Sequence, residues 1–473
     1  MATPPRDADP AVAARYVAHR RAVDALRSRY RRIPAGMTPR IAKRTSNLFR
    51  FRASKRADVA QVDVSGLDRV LAVDPEARIA DVQGMTTYER LVDTTLPYGL
   101  MPLVVPQLRT ITLGGAVTGL GIESSSFRNG LPHESVREME ILTGAGEVVI
   151  ATPHNEHAEL FSAFPNSYGT LGYALRLTIE LEPVKPYVRL RHLGFRDAGT
   201  AMTTLRDICE QVAYQGEPVD FLDGVVFGSD ELYLTLGTFV EEAPYHSDYT
   251  GMDIYFQSIR EREQDYLTVY QYLWRWDTDW FWCSGAFGLH NPAIRRLWPR
   301  RFRRSDVYHK LVGYDRRYRL TERVRRLRRR PPREAVIQDV EVPVERVPEF
   351  LEFFHREIGI SPIWLCPLRL RETTDQSART WPLYPLKPGV WYVNLGFWST
   401  VPLPPGQPDG YHNRLIEHEV ARLDGHKSLY STAFYSPEEF WRLYNGATYR
   451  NVKQRYDPQG RLLDLYDKCV RNR

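Results

Sequence analysis

The sequence predicts an α+β fold, and three features predict it. From about residue 40 to 185, short strands face one another across tight turns with few helices between them. Residues 187–473 mix helical spacing with separate strand patterns and are richer in Trp and Tyr. The one glycine-rich stretch with the look of a parallel βαβ turn runs on into an antiparallel hairpin. The chain has 473 residues, 43% of them apolar and 12% aromatic, enough for two or three domains with cores of their own. No internal repeat is present, and no linker is long enough to separate independent modules.

Residues 1–34 read as a helical extension. They lack the apolar core of a signal peptide and carry Val12, Tyr16, Val23, Leu26 and Tyr30 along one face of a polar helix. Residues 35–186 form the first domain. Val70–Val73 and Arg78–Val82 make a hairpin about Asp74-Pro75-Glu76-Ala77. Thr86 and Glu89 offer a capping box for a helix bearing Tyr88, Leu91, Val92 and Leu96, closed by Pro97 and Gly99. Val136–Leu142 and Glu147–Ile150 pair about Gly144-Ala145-Gly146, and Tyr173–Leu181 alternates as a strand until Pro183 and Pro186 end the unit. Residues 187–473 form a cap or substrate domain. Helices are expected there over Thr200–Tyr214, Val344–Ile358 and His412–Leu423, and strands over Leu232–Thr238, Pro362–Arg369 and Trp391–Phe397.

No run of about 18 apolar residues exists, which excludes a membrane span. Cys209, Cys283, Cys366 and Cys469 lie far apart, in no CxxC or metal pattern; no metal is expected, and structural thiols in a reducing cytoplasm are the simplest reading. The net charge of +6 is uneven, because 17 Lys/Arg against three acids between Arg295 and Arg333 make that segment +14 and leave −8 elsewhere. With Trp298 and Phe302 among the arginines, the block suits anionic phospholipids on the inner face of the plasma membrane. A solvated basic face suits the same residues, and no nucleic-acid-binding motif accompanies them, so no nucleic-acid partner is expected.

Gly119-x-Gly121-x-x-Ser124, with Glu140 beyond it, comes near a dinucleotide fingerprint, but that fingerprint must leave a strand and open a helix. Here Glu123-Ser124-Ser125-Ser126 and a hairpin follow. Thr112-Leu113-Gly114-Gly115 and Gly119-Leu120-Gly121 instead suit an extended backbone approaching a planar or phosphorylated ligand, with successive N–H groups toward a pyrophosphate. A structural glycine turn is the alternative left open.

From Val70 to Leu181 the stretches VLAVDPEARIADVQGMTTYERLVDTTLPYGLMPLVVPQL, TLGGAVTGLGIESSSFRNGLPHESV, MEILTGAGEVV and GTLGYALRLTIEL resemble the FAD-binding domain of the vanillyl-alcohol oxidase and p-cresol methylhydroxylase superfamily. TLGGAVTGLGIESSS, PIWLCPLRLR and ATYRNVKQRYDPQGRLLDLYDK look like its 24-dehydrocholesterol reductase (Diminuto) branch. SNLFRFR, FPNSYGTLGY, WRWDTDWFWCS and LDGHKSLYS resemble the actinobacterial flavoproteins that reduce a 10-methylene fatty acyl chain to the 10-methyl (tuberculostearic) product. The resemblance implies two α+β subdomains around FAD, a cap over the flavin, and a C-terminal segment returning to the first domain. It places Thr112, Leu113, Gly114, Gly115, Ala116, Val117, Thr118, Gly119, Leu120, Gly121, Ile122, Glu123 and Ser124 along the cofactor. Lys43, Arg44, Thr45, Ser46 and Asn47 take the place of the first phosphate loop, and Gly169, Thr170 and Gly172 return the chain beside the flavin. Oxidases of the superfamily often bond a His or Cys of that loop to the flavin. Neither residue stands there, which implies non-covalent FAD with Lys43 and Arg44 as counter-charges, or else a solvated basic pair. The implied reaction is NADPH-driven reduction of an isolated double bond in a lipid acyl or sterol-like substrate, in functional pairing with a lipid methyltransferase. An FAD-dependent oxidase or dehydrogenase of an alcohol or sugar is the alternative.

Such a reduction needs hydride at one carbon and a proton at the other, in a water-poor pocket with a positioned acid. Within Gly425–Tyr430, Tyr430 is the candidate donor, with His426 or Lys427 tuning it; packing roles for all three are the alternative. Tyr449 and Lys453 form a second cluster, whereas Glu123 and His133 read as structural hydrogen-bond partners. The run from Tyr270 through Trp274, Trp276, Trp280 and Phe281 to Trp282 either walls an alkyl-chain pocket or fills the cap core.

Overall fold

The computed structural model describes residues 9–43, 49, 58–318, 323, 325, 327, 331–372 and 380–471. The architecture is α+β, built on two large antiparallel sheets. In the first, the strands run in the order Val70–Asp74, Ile79–Gln83, Tyr173–Pro183, Val136–Leu142 and Val148–Ala151, with Leu100–Pro102 also on Tyr173–Pro183. Both hairpins expected from the turn residues form. The central strand is buried continuously from Tyr173 to Leu177 because both its faces are covered: Tyr173 and Leu175 join the N-terminal helix, Ala174 and Leu177 the main core.

The N-terminal helix, Pro10–Arg31, is capped by Asp9 and buries Tyr16, His19, Val23, Leu26 and Tyr30. It is bolted to the sheet by polar contacts that an apolar stripe does not reveal. Tyr16 donates to Asp81, His19 meets Glu140 at 3.2 Å, and Tyr30 Oη donates to Gly144 O at 2.9 Å. The helix Tyr88–Thr95 begins one residue later than expected, with Thr87 rather than Thr86 accepting the capping bond from Arg90 N. Glu89 therefore makes no capping box, and instead binds Arg109 and Arg304.

The second sheet has the order Gln264–Thr268, Tyr187–Phe195, Glu231–Val240, Phe221–Gly228, Ile363–Leu368, Tyr392–Pro402, Arg333–Pro343 and His426–Lys427. Helices Ala198–Gln211, Val347–Glu357 and Tyr411–Arg422 cover one face. The two-residue strand period divides the side chains between two cores: Ile363 and Leu365 face these helices, Trp364 and Cys366 the first domain. The helix expected to reach Tyr214 stops at Gln211, where Val212 turns to φ 51°, and the one expected from Val344 starts after a 3-10 turn at Val344–Arg346. The strand Arg333–Pro343 was not anticipated at all.

The basic block is corrected in part. Arg295 is buried, with its guanidinium on Asp279 at 2.7 and 3.1 Å, and Arg303 is buried on backbone carbonyls including Thr250 O at 2.8 Å. Arg304 binds both Glu89 oxygens, at 2.9 and 2.8 Å. These arginines are structural because desolvated carboxylates and carbonyls face them. Arg296, Arg300, Arg301, Lys310 and Arg317 point outward. No helix among the described residues is long and apolar enough to cross a membrane.

Residues from 446 onward pack back on the first domain, where Lys453 Nζ donates to Thr170 O at 2.7 Å and Leu462 O at 2.9 Å, and Tyr456 Oη meets His157 Nδ1 at 2.8 Å. A second tie lies between the sheets. Arg275 Nη2 stands 3.1 Å from Glu123 and 2.7 Å from Asp223, with its guanidinium 4.0 Å from the Tyr272 ring centre. Arg275→Met leaves two buried carboxylates without their cation, so a loss of about 3–5 kcal/mol is expected in urea denaturation; a loss below about 1 kcal/mol would refute a stabilising role for this tie.

Candidate active site

A cavity of about 710 Å³ lies between the two sheets, within the range of about 300–1,000 Å³ usual for ligand clefts. One wall comes from the first domain: Ile41 to Lys43, Pro106 to Leu108, most of the segment from Thr112 to Ile122, and Tyr168, Gly169 and Gly172 to Ala174. The other comes from the second: Trp280, Phe281, Asp339, Trp364, Trp398, Ser428 and Tyr430. Phe49 joins them, because its N–H donates to Tyr430 O at 3.0 Å and its ring stacks on Trp280 at 5.5 Å.

The glycine-rich segment does not run extended. Leu113–Gly119 is a short helix capped by Thr112, whose Oγ1 accepts from Gly115 N at 3.2 Å. Its glycines divide between two tasks. Gly114 is a packing residue, since a Cβ there would lie 2.7 Å from Gly84 O. At Gly115 a Cβ would crowd Thr112 Oγ1 at 2.8 Å and Lys43 Nζ at 3.1 Å, the polar corner of the cavity. Lys43 donates to Thr112 Oγ1 at 3.0 Å. Its side chain is open to the cavity yet ringed by protein, and that desolvation lowers its ammonium to about 8.

Among the expected cofactor residues, Lys43, Thr112, Gly114, Gly115, Ala116, Thr118, Gly119, Leu120, Gly121, Ile122, Gly169 and Gly172 line the cavity. Leu113 and Val117 turn from it into the core. Glu123 and Ser124 also turn away, Glu123 to Arg275 and Ser124 to Tyr272 at 2.8 Å, while Thr170 Oγ1 donates to Ser167 O. Arg44, Thr45, Ser46 and Asn47 lie outside the described residues.

Of the three expected catalytic groups only Tyr430 reaches the cavity. Lys427 is buried against Glu417 at 2.6 Å, and His426 sits between the Tyr384 and Tyr444 rings, where burial lowers it to about 4. Tyr430 Oη accepts from Trp398 Nε1 at 2.9 Å, and burial together with the neighbouring Asp339 raises the phenol well above its ordinary range. His133 is buried edge-on against Trp381 at 4.4 Å, away from the cavity. The aromatic run divides. Trp274 and Trp276 are core, while Trp280 and Phe281, held at φ 47° and 61°, face the cavity.

Sequence reasoning missed Gln107 and Asp339. Gln107 Nε2 and Asp339 Oδ1 both line this space, shut off from solvent and without a hydrogen-bond partner. Burial raises the Asp339 carboxyl to about 7, against the opposing pull of Asn394 and Tyr430. The available signal was the polar interruption of Val336-Ile337-Gln338-Asp339-Val340-Glu341-Val342, a strand on which Gln338 turns to Asn413 at 2.6 Å and Asp339, on the other face, reaches the cavity.

Residues 40–152 match a family model described as an FAD binding domain. The chain is 26% identical to the Delta(24)-sterol reductase of Homo sapiens over 433 residues, covering 85% of this chain and 76% of that protein. It is 27% identical to the Delta(24)-sterol reductase of Arabidopsis thaliana over 465 residues, 89% of this chain and 78% of that one. A shorter match, 35% over 125 residues, is to the decaprenylphosphoryl-beta-D-ribose oxidase of Mycolicibacterium smegmatis, 26% of this chain and 27% of the oxidase. The cavity fits FAD on its own terms: a cation and a side-chain-free corner at Lys43 and Gly115 suit phosphate, and the orphaned Gln107 amide suits the polar edge of a heteroaromatic ring. The chain is thus an FAD-dependent oxidoreductase with an FAD binding domain over residues 40–152, similar over most of its length to Delta(24)-sterol reductases.

Proposed function

We propose that the chain reduces an isolated carbon–carbon double bond of a lipid, a 10-methylene acyl chain to its 10-methyl product or a sterol-like alkene, with FAD held non-covalently and NADPH as electron donor. The observation that carries this reading is the division of the cavity, with glycine and a lysine on one wall and indole and phenyl rings on the other. FAD, when bound, supplies the two-electron chemistry, a hydride for one alkene carbon. Lys43, Thr112 and Gly115 would hold its pyrophosphate, and Gln107 would donate to its ring. Trp280, Phe281, Trp364 and Trp398 exclude water and orient the alkyl chain, which offers no polar handle near the reacting carbons. Similarity to the sterol reductases across 85% and 89% of the chain supports reduction of a double bond. A methylene-branched substrate calls for a lipid methyltransferase acting beforehand. The match to a sugar oxidase favours the second reading, oxidation of an alcohol or sugar.

Access to a membrane-borne lipid fits the outward part of the basic block. Leu297 is 85% exposed, and Ile294, Phe302, Tyr314 and Tyr318 are exposed beside Arg296, Arg301 and Arg317. Apolar side chains set among arginines suit an anionic interface.

Denaturation should release all flavin as FAD, and Gly115→Val should lose flavin absorbance while far-UV circular dichroism is kept; flavin retained on the denatured chain refutes non-covalent binding. Cells lacking the protein should accumulate the methylene-branched acyl chain and lose its methyl-branched counterpart by gas chromatography and mass spectrometry. Unchanged lipids, with reduced flavin reoxidised only by oxygen, would favour the oxidase. Binding to anionic liposomes should weaken as salt shortens the electrostatic reach to about 8 Å at 0.15 M, and Arg296→Gln/Arg301→Gln/Arg317→Gln should weaken it further. Equal co-sedimentation with neutral liposomes would leave these arginines as solvated surface.

A further inference from the structure

Resting on the alkene-reductase reading, we propose that Asp339, not Tyr430, is the acid that protonates the substrate, with Tyr430 and Trp398 as positioning residues beside it. Asp339 stands on the strand Arg333–Pro343 directly opposite Gly396 of Tyr392–Pro402. A Cβ at Gly396 would lie 2.5 Å from Asp339 Oδ1 and 2.7 Å from the Trp398 ring, so the missing side chain makes the slot that the carboxyl and the indole share. The residue lines the cavity, and its Oδ1 is buried with no hydrogen-bond partner. Several buried acids face cations, Glu123 and Asp223 on Arg275, Asp279 on Arg295 and Glu417 on Lys427. Glu341, two residues on, is buried without a partner as well, but of the two only Asp339 lines the cavity. Asp339 has no ion pair among the described residues, and the ionisable groups acting on it or beside it are Tyr430 and Glu341, neither of them a cation. A buried carboxyl without a cation keeps its proton, and burial holds this one at about 7. Tyr430 Oη is engaged by Trp398 Nε1 at 2.9 Å, and burial raises its phenol well above the ordinary range.

In the step, one alkene carbon takes the hydride. The electron pair of the breaking π bond forms the second C–H bond with the Asp339 proton, the Asp339 O–H bond breaks, and the carboxylate left behind regains a proton from water. The alkene is reduced by two electrons that reduced flavin gives up, and NADPH restores them.

The test compares wild type with Asp339→Asn, Asp339→Glu and Tyr430→Phe. Asp339→Asn should slow single-turnover alkene reduction by about 100-fold or more while NADPH still reduces the flavin at the wild-type rate, and Asp339→Glu should restore part of the loss. A separate readout uses flavin-free protein. Because the folded-state value lies above the ordinary 3.8, the folded chain keeps a proton that the unfolded chain releases, and stability falls as pH rises from near 3.8 through about 7. Asp339→Asn should therefore shift the urea midpoint upward at pH 8 relative to its shift at pH 4. Equal shifts at both pH values would overturn the assignment, as would an Asn variant that reduces the alkene at the wild-type rate while Tyr430→Phe does not. A wild-type enzyme inert toward every alkene removes the reaction itself, an outcome distinct from an active wild type beside an unimpaired Asn variant.

Discussion

Two carboxylates from different halves of the molecule share one buried guanidinium. Glu123 ends the glycine-rich segment of the first domain, Asp223 belongs to the second sheet, and Arg275 binds both. Asp223 also accepts from the indole N–H groups of Trp276 and Trp364, at 3.2 and 3.3 Å. A guanidinium has a fixed planar geometry and its carboxylates cannot be left unpaired in a dry interior, so this group sets how far apart the two walls can stand. Leu222 N donating to Ser124 O at 2.7 Å repeats the tie through the backbone. The cavity is what remains between two sheets held at that separation.

Its chemistry follows from where each wall originates. The wall from the FAD binding domain supplies small residues and polar backbone close to Lys43, features that accommodate a large polar cofactor. The wall from the second sheet supplies rings, because that face must be apolar to pack against the first domain wherever the cavity does not intervene. Trp364 and Trp398 therefore serve core and cavity alike. Asp339 departs from this rule, an acid on the apolar face with a glycine opposite to make room for it.

Much of the first domain was legible because its signals are local. The hairpins about residues 74–77 and 144–146 were marked by turn residues, and the N-terminal helix by its apolar stripe. The glycine-rich segment was legible as a cavity wall but not as a helix, since glycine's low helix propensity argues against one, whereas the Thr112 cap, the close approach of Gly114 to Gly84 and the burial of Leu113, Ala116 and Val117 favour it. Arg333–Pro343 went unread because Gln338, Asp339 and Glu341 interrupt its valines, and nothing local tells a buried polar side from a solvated one. The inward turn of Arg295, Arg303 and Arg304 was equally illegible: Thr250 and Glu89, the partners of Arg303 and Arg304, lie far off in sequence, and composition counts the charge of Arg295 without showing that it meets Asp279. His426 and Lys427 were expected beside Tyr430 by adjacency alone. Strand alternation and the turn after Lys427 separate them from it.

Trp280 and Phe281 reach the cavity only because consecutive bulky residues adopt left-handed backbone at φ 47° and 61°. Each such residue costs on the order of 1–3 kcal/mol that a glycine there would avoid. The rings offset that strain by packing, since both side chains are buried and Phe281 lies against Trp276, Trp364 and Trp398. The same two residues thus belong to the cavity and to the core at once, and a substitution that widened the one would loosen the other.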